Sequence, residues 1–179
     1  MLRWSLGRYH PRIAVACSFQ HAVVVHLAVQ IRPDVRVFSV DTGRLPEETY
    51  ECARDFERAL GVRIEWVFPR HEPVEKLLRE SGPCSFRESL AARRECCGIR
   101  KVEPTSRALT GLDAWISGIR RDQGVTRRGH GAIERDQAHG GILKINPLAD
   151  WTAEEVREYA RKQHPEHKEC GLHVNNWSI

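Results

Sequence analysis

A chain of 179 residues is long enough for one domain with a substantial core, and 41% hydrophobic against 29% charged residues marks a folded globular protein, not a disordered one. The 28 basic and 24 acidic side chains leave a formal charge of +4, which suits a small anionic ligand but lacks the concentrated basic face that nucleic acid demands. No apolar run approaches the roughly 20 residues that span a bilayer, and the first residues carry no signal-like apolar stretch, so a cytoplasmic protein without a membrane partner is expected.

From residue 12 onward, short apolar runs alternate with amphipathic stretches, the pattern of a parallel sheet covered by helices. Residues 13–17 read as the first buried strand, and Ser18-Phe19-Gln20-His21 as a tight turn into a helix over 22–31. Pro33-Asp34 resets the chain before a second strand over 35–40, apolar and β-branched. Asp41-Thr42-Gly43 stands at its carboxyl end, where open α/β sheets bind their ligands. A carboxylate, a hydroxyl and a bare backbone in succession suit ribose and phosphate. The next helix starts near Pro46, with Glu47 and Glu48 at its positive end, and stops at Gly61. A third strand is expected over 63–68.

Residues 71–109 read mostly as helix, broken at Ser81-Gly82-Pro83. A short strand over 114–117 leads into a basic, glycine-containing loop over 118–141. A further strand is expected over 142–146, and Thr152 to Glu155 form a capping box that opens a helix ending near Gln163. The expected fold is therefore α/β: an open, mainly parallel, twisted sheet with helices on both faces. Residues 1–163 would form a nucleotide-binding domain and 164–179 its C-terminal tail.

Six cysteines in a reducing compartment point to metal or redox chemistry more than to a disulfide framework. Adjacent Cα atoms lie about 3.8 Å apart, below the usual disulfide range of roughly 4.4–6.8 Å, so Cys96 and Cys97 are poorly placed to bridge each other. Followed by Arg100 and Lys101, the two thiolates suit an electron-rich cluster, or else plain helix packing. In the basic loop, Arg120, Arg121 and Arg127 present planar donors that match phosphate or sulfate, and would equally serve a solvated turn. Lys144, read as standing at a sheet edge, could meet a phosphate or be an ordinary edge lysine. In Lys168-Glu169-Cys170-Gly171-Leu172-His173, neighbouring cations favour the thiolate of Cys170.

Taken together, Cys17-Ser18-Phe19-Gln20, Val40-Asp41-Thr42-Gly43, Pro46-Glu47-Glu48-Thr49-Tyr50, Cys96-Cys97-x-x-Arg100-Lys101-Val102-x-Pro104, Gly118-Ile119-Arg120-Arg121, Lys144-x-Asn146-Pro147-Leu148 and Glu169-Cys170-Gly171-Leu172-His173 resemble the assimilatory adenylyl-sulfate and phosphoadenylyl-sulfate reductases, in the family's order. The resemblance implies an adenine nucleotide alpha hydrolase-like fold and reduction of adenosine 5′-phosphosulfate to sulfite and AMP in sulfate assimilation. It makes Cys170 the nucleophile, carrying an S-sulfo intermediate, with His173 in the same catalytic motif. Ser18, Phe19, Gln20, Asp41, Thr42 and Gly43 would hold the nucleotide, and Arg120, Arg121, Arg127 and Lys144 would offset charge on the phosphosulfate. Cys96 and Cys97 would be metal ligands to a [4Fe-4S] cluster, with Lys101 between cluster and substrate. Thioredoxin or glutaredoxin would be the reductant, and a homo-oligomer is a common state of the family.

The sequence departs from that pattern at one place. Cluster-bearing members carry a second pair, Cys-x-x-Cys, ahead of the catalytic motif, and this chain has none. With only one pair of thiolates, the cluster is expected to bind poorly or not at all. The alternatives are phosphoadenylyl-sulfate reduction or a non-catalytic nucleotide-binding remnant. An ATP pyrophosphatase of the same broad fold is disfavoured, because the turn at Ser18 to His21 lacks the glycines that cradle pyrophosphate.

Overall fold

The structure, a computed structural model, describes residues 1–19 and 22–163. Six strands form one sheet: β1 (Ile13–Ala16), β2 (Arg36–Val40), β3 (Ile64–Val67), β4 (Ala114–Ile116), β5 (Ile133–Asp136) and β6 (Ile142–Ile145). Their spatial order is β3-β2-β1-β4-β6-β5. Every pairing is parallel except that of β5, which runs antiparallel to β6 along the outer edge. Seven α-helices complete the described chain: α1 (Leu2–Tyr9), α2 (Val23–Ile31), α3 (Glu47–Leu60), α4 (His71–Ser81), α5 (Leu90–Cys97), α6 (Glu103–Ala108) and α7 (Ala153–Gln163). A π-helical turn, Gly98–Val102, joins α5 to α6 without a break.

The central strands are short and apolar because side chains on both faces are buried, as parallel sheets require. Alternation along each strand assigns those faces. One face gathers Ile13, Val15, Val37, Ile64, Ala114, Ile116 and Ile145 against Leu6 of α1, Val24 and Val25 of α2, Ala53 of α3 and Val156 of α7. The other packs Ala14, Phe38, Val67 and Trp115 against Ala108 and Leu109 at the end of α6. Helices therefore cover both faces, as the sequence pattern predicts. Helix α2 is apolar nearly all round, and a helix of that kind belongs in a core; Val23, Val24, Val25, Ala28 and Val29 are all buried. Helix α3 ends at Gly61, whose φ of 64° places it in the left-handed region favoured by glycine at this position.

Two elements differ from the sequence expectation. Helix α1 occupies residues for which no element is expected. Strand β5 lies inside the stretch read as a loop over 118–141: Ile-Glu-Arg-Asp holds one apolar residue, so it shows no buried-strand run and only an edge position could use it. Because β5 is added outside β6, Lys144 stands on the penultimate strand and not at the sheet edge. Among the described residues, no helix is long and apolar enough to cross a membrane.

From β1 the chain builds outward to β2 and β3, then returns to the other side of β1 with β4. The loops leaving β1 and β4 thus diverge, opening a crevice at their carboxyl ends, the position where doubly wound sheets take ligands.

Candidate functional site

Three backbone bonds carry strand-like pairing one residue past the strands and set the level at which the crevice begins. Cys17 N donates to Phe38 O at 2.8 Å, Asp41 N to Val67 O at 3.0 Å, and Ser117 N to Ile145 O at 2.9 Å. Ser18 follows directly and is exposed. Cys17 beneath it is buried, which pushes its thiol up to about 12 despite a backbone hydrogen bond at Phe19, so it stays protonated and non-nucleophilic at neutral pH.

The β2 turn is built from within. Asp41 is 1% exposed; one carboxylate oxygen accepts Gly43 N–H at 2.7 Å and the other the Tyr50 hydroxyl at 2.6 Å. That short bond, followed by burial and the charges of Asp41 and Glu47, raises the Tyr50 phenol to about 12. Tyr50 leans on Trp66 with ring centroids 5.6 Å apart, and Trp66 stacks on Phe19 at 5.6 Å. Phe19 is buried and sits at φ 53°, in the left-handed region that non-glycine residues rarely enter. One aromatic stack therefore locks the β1 turn to the β2 turn. Within it Asp41 and Phe19 shape the two turns, while Ser18 and the Thr42–Gly43 backbone form their surface. Gln20 lies outside the described residues, as do Cys170 and His173.

Arg100 closes this turn from the helical side. It is buried, its Nη1 donates to Thr42 O at 2.7 Å, and its Nε has no hydrogen-bond partner. Gly43, at φ +70°, leaves room for it, since a Cβ there would stand 3.2 Å from Arg100 Nη1. Gly43→Ala is expected to cost about 1–2 kcal/mol from the left-handed backbone alone, read as a lowered midpoint in thermal unfolding.

The Cys96-Cys97 pair closes α5, with Cys96 buried and Cys97 half-buried. The π-helical turn that follows brings Arg100 into the interior and leaves Lys101 exposed. Such turns concentrate at functional sites. As a donor set for an iron-sulfur cube, however, the pair is incomplete: among the described residues, no group of three or more His, Cys, Asp or Glu could hold a metal ion. The residues present do not fit a cluster of four thiolates. Iron and acid-labile sulfide after anaerobic purification are therefore expected far below four each per chain by colorimetric assay; [4Fe-4S] stoichiometry would overturn that expectation.

Beyond β4, Arg120 is buried and pairs with Asp122 at 2.9 Å. Arg121 is half-exposed; its Nε donates to His130 O at 2.8 Å and its Nη1 pairs with Asp150. Arg127 is exposed. Lys144 is buried, 3.2 Å from Glu134 and 5.2 Å from the centre of the Trp115 ring. Glu134 also accepts from His130, Gly131 and Asn146. Burial raises its carboxyl pKa, but hydrogen bonds from Asn146, His130 and Lys144 outweigh burial and hold it at about 2. The sequence reading missed Glu134, Tyr50's link to Asp41, and Ser117. The signal for Glu134 was its pairing with Lys144: the two stand directly opposite in the β5·β6 register, an opposite-charge cross-strand pair.

One cavity of about 430 Å³ opens elsewhere, at the end of edge strand β3, between Phe68, Arg70 and Arg107. It lies two strands from the β1/β4 crevice, so topology and not cavity size identifies the candidate site.

Comparisons with known proteins bear on the family and the fold. The family described as "Phosphoadenosine phosphosulfate reductase domain" matches residues 11–173. An adenosine 5′-phosphosulfate reductase of Allochromatium vinosum is 40% identical over 148 residues, covering 83% of this chain and 57% of that protein. One of Pseudomonas aeruginosa is 34% identical over 229 residues, covering 96% of this chain and 85% of the relative. The alignment is longer than the 179-residue chain itself, so at least 50 of its positions (229 less 179) have no counterpart here. Among solved structures, a phosphoadenylyl-sulfate reductase of Candida auris in a phosphate complex superposes with a TM-score of 0.71 at 24% identity, covering 90% of this chain and 76% of that one. That likeness is one of fold.

Proposed function

This chain belongs to the phosphoadenosine phosphosulfate reductase domain family, and on that premise we propose that it reduces adenosine 5′-phosphosulfate to sulfite and AMP in sulfate assimilation. The nucleotide would lie across the carboxyl ends of β2, β1 and β4. Ser18 and Gln20 would flank it on the β1 turn that Phe19 anchors, and Thr42 and Gly43 on the β2 turn that Asp41 shapes. Arg120, Arg121, Arg127 and Lys144 would supply the positive field for the phosphosulfate.

Cys170 is the proposed nucleophile. Its thiolate attacks the sulfur, the bond from that sulfur to the bridging phosphate oxygen breaks, and AMP leaves with the electron pair. His173, three residues on, would supply a proton donor or a positive charge near the leaving group. A dithiol of the thioredoxin or glutaredoxin kind then attacks the cysteine sulfur, expels sulfite and ends as a disulfide, so that its two electrons account for the reduction. No step passes through a cluster. We assign the nucleotide-binding domain to 1–163 and the catalytic tail to 164–179, place the protein in the cytoplasm where such dithiols are kept reduced, and regard self-association as its working state.

The observation that supports this reading most is the meeting of the Ser18 turn and the Arg120-Arg121 turn on neighbouring strands at the point where the sheet order reverses. The test is anaerobic incubation with adenosine 5′-phosphosulfate in the absence of thiol, followed by intact-mass and peptide analysis. One sulfo group on the Cys170 peptide is expected, formed faster than with the 3′-phosphorylated substrate. A second reading, a nucleotide-binding remnant, is favoured by the 50 or more positions that the Pseudomonas relative has in excess; AMP binding with no adduct would establish it.

A further inference from the structure

We propose that Glu134 is the positioning residue of the anion-binding loop: one carboxylate ties both ends of the basic stretch between β4 and β5 and holds its first turn against the nucleotide's phosphate. The proposal rests on the nucleotide-binding reading above and adds to it a residue on the far side of the sheet end.

At the loop's near end, the Asn146 amide donates to Glu134 Oε1 at 3.0 Å. The carbonyl oxygen of the same amide accepts the Ser117 hydroxyl at 2.6 Å, and Ser117 Oγ in turn accepts Ile119 N–H at 3.3 Å. Asn146 is 0% exposed and Ser117 4%, so this relay from Glu134 to the Gly118-Ile119 turn is shielded from water. At the far end, His130 Nδ1 reaches Glu134 Oε1 at 2.8 Å and Gly131 N–H reaches Oε2 at 3.3 Å. The His130 carbonyl then accepts Arg121 Nε at 2.8 Å, which brings the far end back onto the first turn. The stretch between, from Gly118 to Gly129, contains only short 3₁₀ turns and is largely exposed. Further ties on it are Arg120 to Asp122, Arg120 N–H to Gln123 Oε1, Arg121 N–H to Ala149 O and Ala153 N–H to Asp122, and the Asn146 amide also donates to Gly131 O at 2.8 Å.

The chemistry of the hub explains why it is a carboxylate. Ring N–H, backbone N–H, amide N–H and the Lys144 ammonium at 3.2 Å all converge on it. Four donors need a group that only accepts. Glutamine, equal in size, would turn an NH₂ towards one of those donors and lose at least one end of the tie. An edge ion pair serving stability alone would have no need of the Ser117 relay or of the return through Arg121.

The experiment uses the full chain and two probes, AMP and adenosine, titrated by calorimetry into wild type, Glu134→Gln, Ser117→Ala and the exposed neighbour Arg135→Gln. Limited trypsin cleavage at Arg127 and Arg128 is followed in parallel. Glu134→Gln is expected to weaken AMP about tenfold or more, since hydrogen bonds to a charged group are at stake, and Ser117→Ala, which removes neutral bonds, about fivefold, while adenosine affinity stays within about twofold and cleavage in the loop accelerates. Arg135→Gln should match wild type. Ser117→Ala leaves the half-buried carboxylate intact and carries the test if Glu134→Gln does not fold. Equal weakening of AMP and adenosine, or unchanged AMP affinity with an unchanged cleavage pattern, would overturn the proposal. Wild type that binds AMP no better than adenosine would instead overturn the nucleotide reading itself, together with what rests on it.

Discussion

Cys170→Ser is expected to abolish both the sulfo adduct and sulfite release while leaving AMP affinity unchanged. A thiolate attacks sulfur readily because it is soft, polarisable and available near neutral pH, whereas a serine hydroxyl stays protonated and is a poor nucleophile towards sulfur. Among the other cysteines, Cys17 is held as the thiol by burial and Cys96 is buried, whereas Cys84 is exposed and Cys97 half-buried, so the adduct must be mapped to its peptide. Turnover is measured as sulfite from adenosine 5′-phosphosulfate with a reduced dithiol present, and the adduct by mass without it. An adduct that persists in Cys170→Ser, mapped to any other cysteine, would displace Cys170 from its role. Loss of AMP binding in the variant would mean that the tail helps to hold the nucleotide.

Asp41→Ala should give the largest loss of stability of any change at the site. It removes a buried acceptor from Gly43 N–H and from the Tyr50 hydroxyl at once, and hydrogen bonds to a charged group contribute about 1.5–3 kcal/mol each, so a loss of roughly 2–4 kcal/mol is expected once water has rescued the exposed donors in part. For a domain of this size that lowers the thermal midpoint by about 5–15 °C. Tyr50→Phe, which removes one of the two bonds, should lose about 1 kcal/mol, and Asp41→Asn should fall between, because the amide oxygen still accepts one donor. AMP affinity should fall in the same order as stability, since the same carboxylate shapes the Thr42–Gly43 surface. A loss of affinity in Tyr50→Phe as large as in Asp41→Ala would show that the phenol itself meets the ligand.

The fold was readable where each strand buries both faces. Runs such as Ile13 to Ala16 announce themselves by composition, and the proline and glycine stops around α3 mark its ends without tertiary information. Strand β5 was not readable, because an edge strand with one apolar residue has the composition of a loop. The site was readable as a set of turns at strand ends but not as a division of labour. Asp41 has the chemistry of a ribose ligand, and only the structure places Gly43 N–H and the Tyr50 hydroxyl on its two oxygens. Lys144 has the chemistry of a phosphate ligand, yet its partner Glu134 comes from the strand that sequence did not reveal. Side-chain type states what a residue can bind; which bonds are already taken depends on contacts between elements far apart in the chain.

The π-helical turn between α5 and α6 also fixes a phase. A regular α-helix advances about 100° per residue, and the wider turn at Gly98–Val102 accommodates one residue more than an α-helical turn would. Removing a single residue there, Gly98 for instance, would restore the regular ladder, and because the wider turn already absorbs the extra residue, α5 would keep its phase relative to α6. Cys96 and Cys97 before the turn and the residues of α6 after it would keep their faces, and only residues within the turn, Arg100 among them, would be displaced. The inward aim of Arg100 onto the Thr42 turn therefore depends on one inserted residue. At this point a one-residue gap between two homologous sequences marks a changed setting of that arginine, although the helices on either side still match.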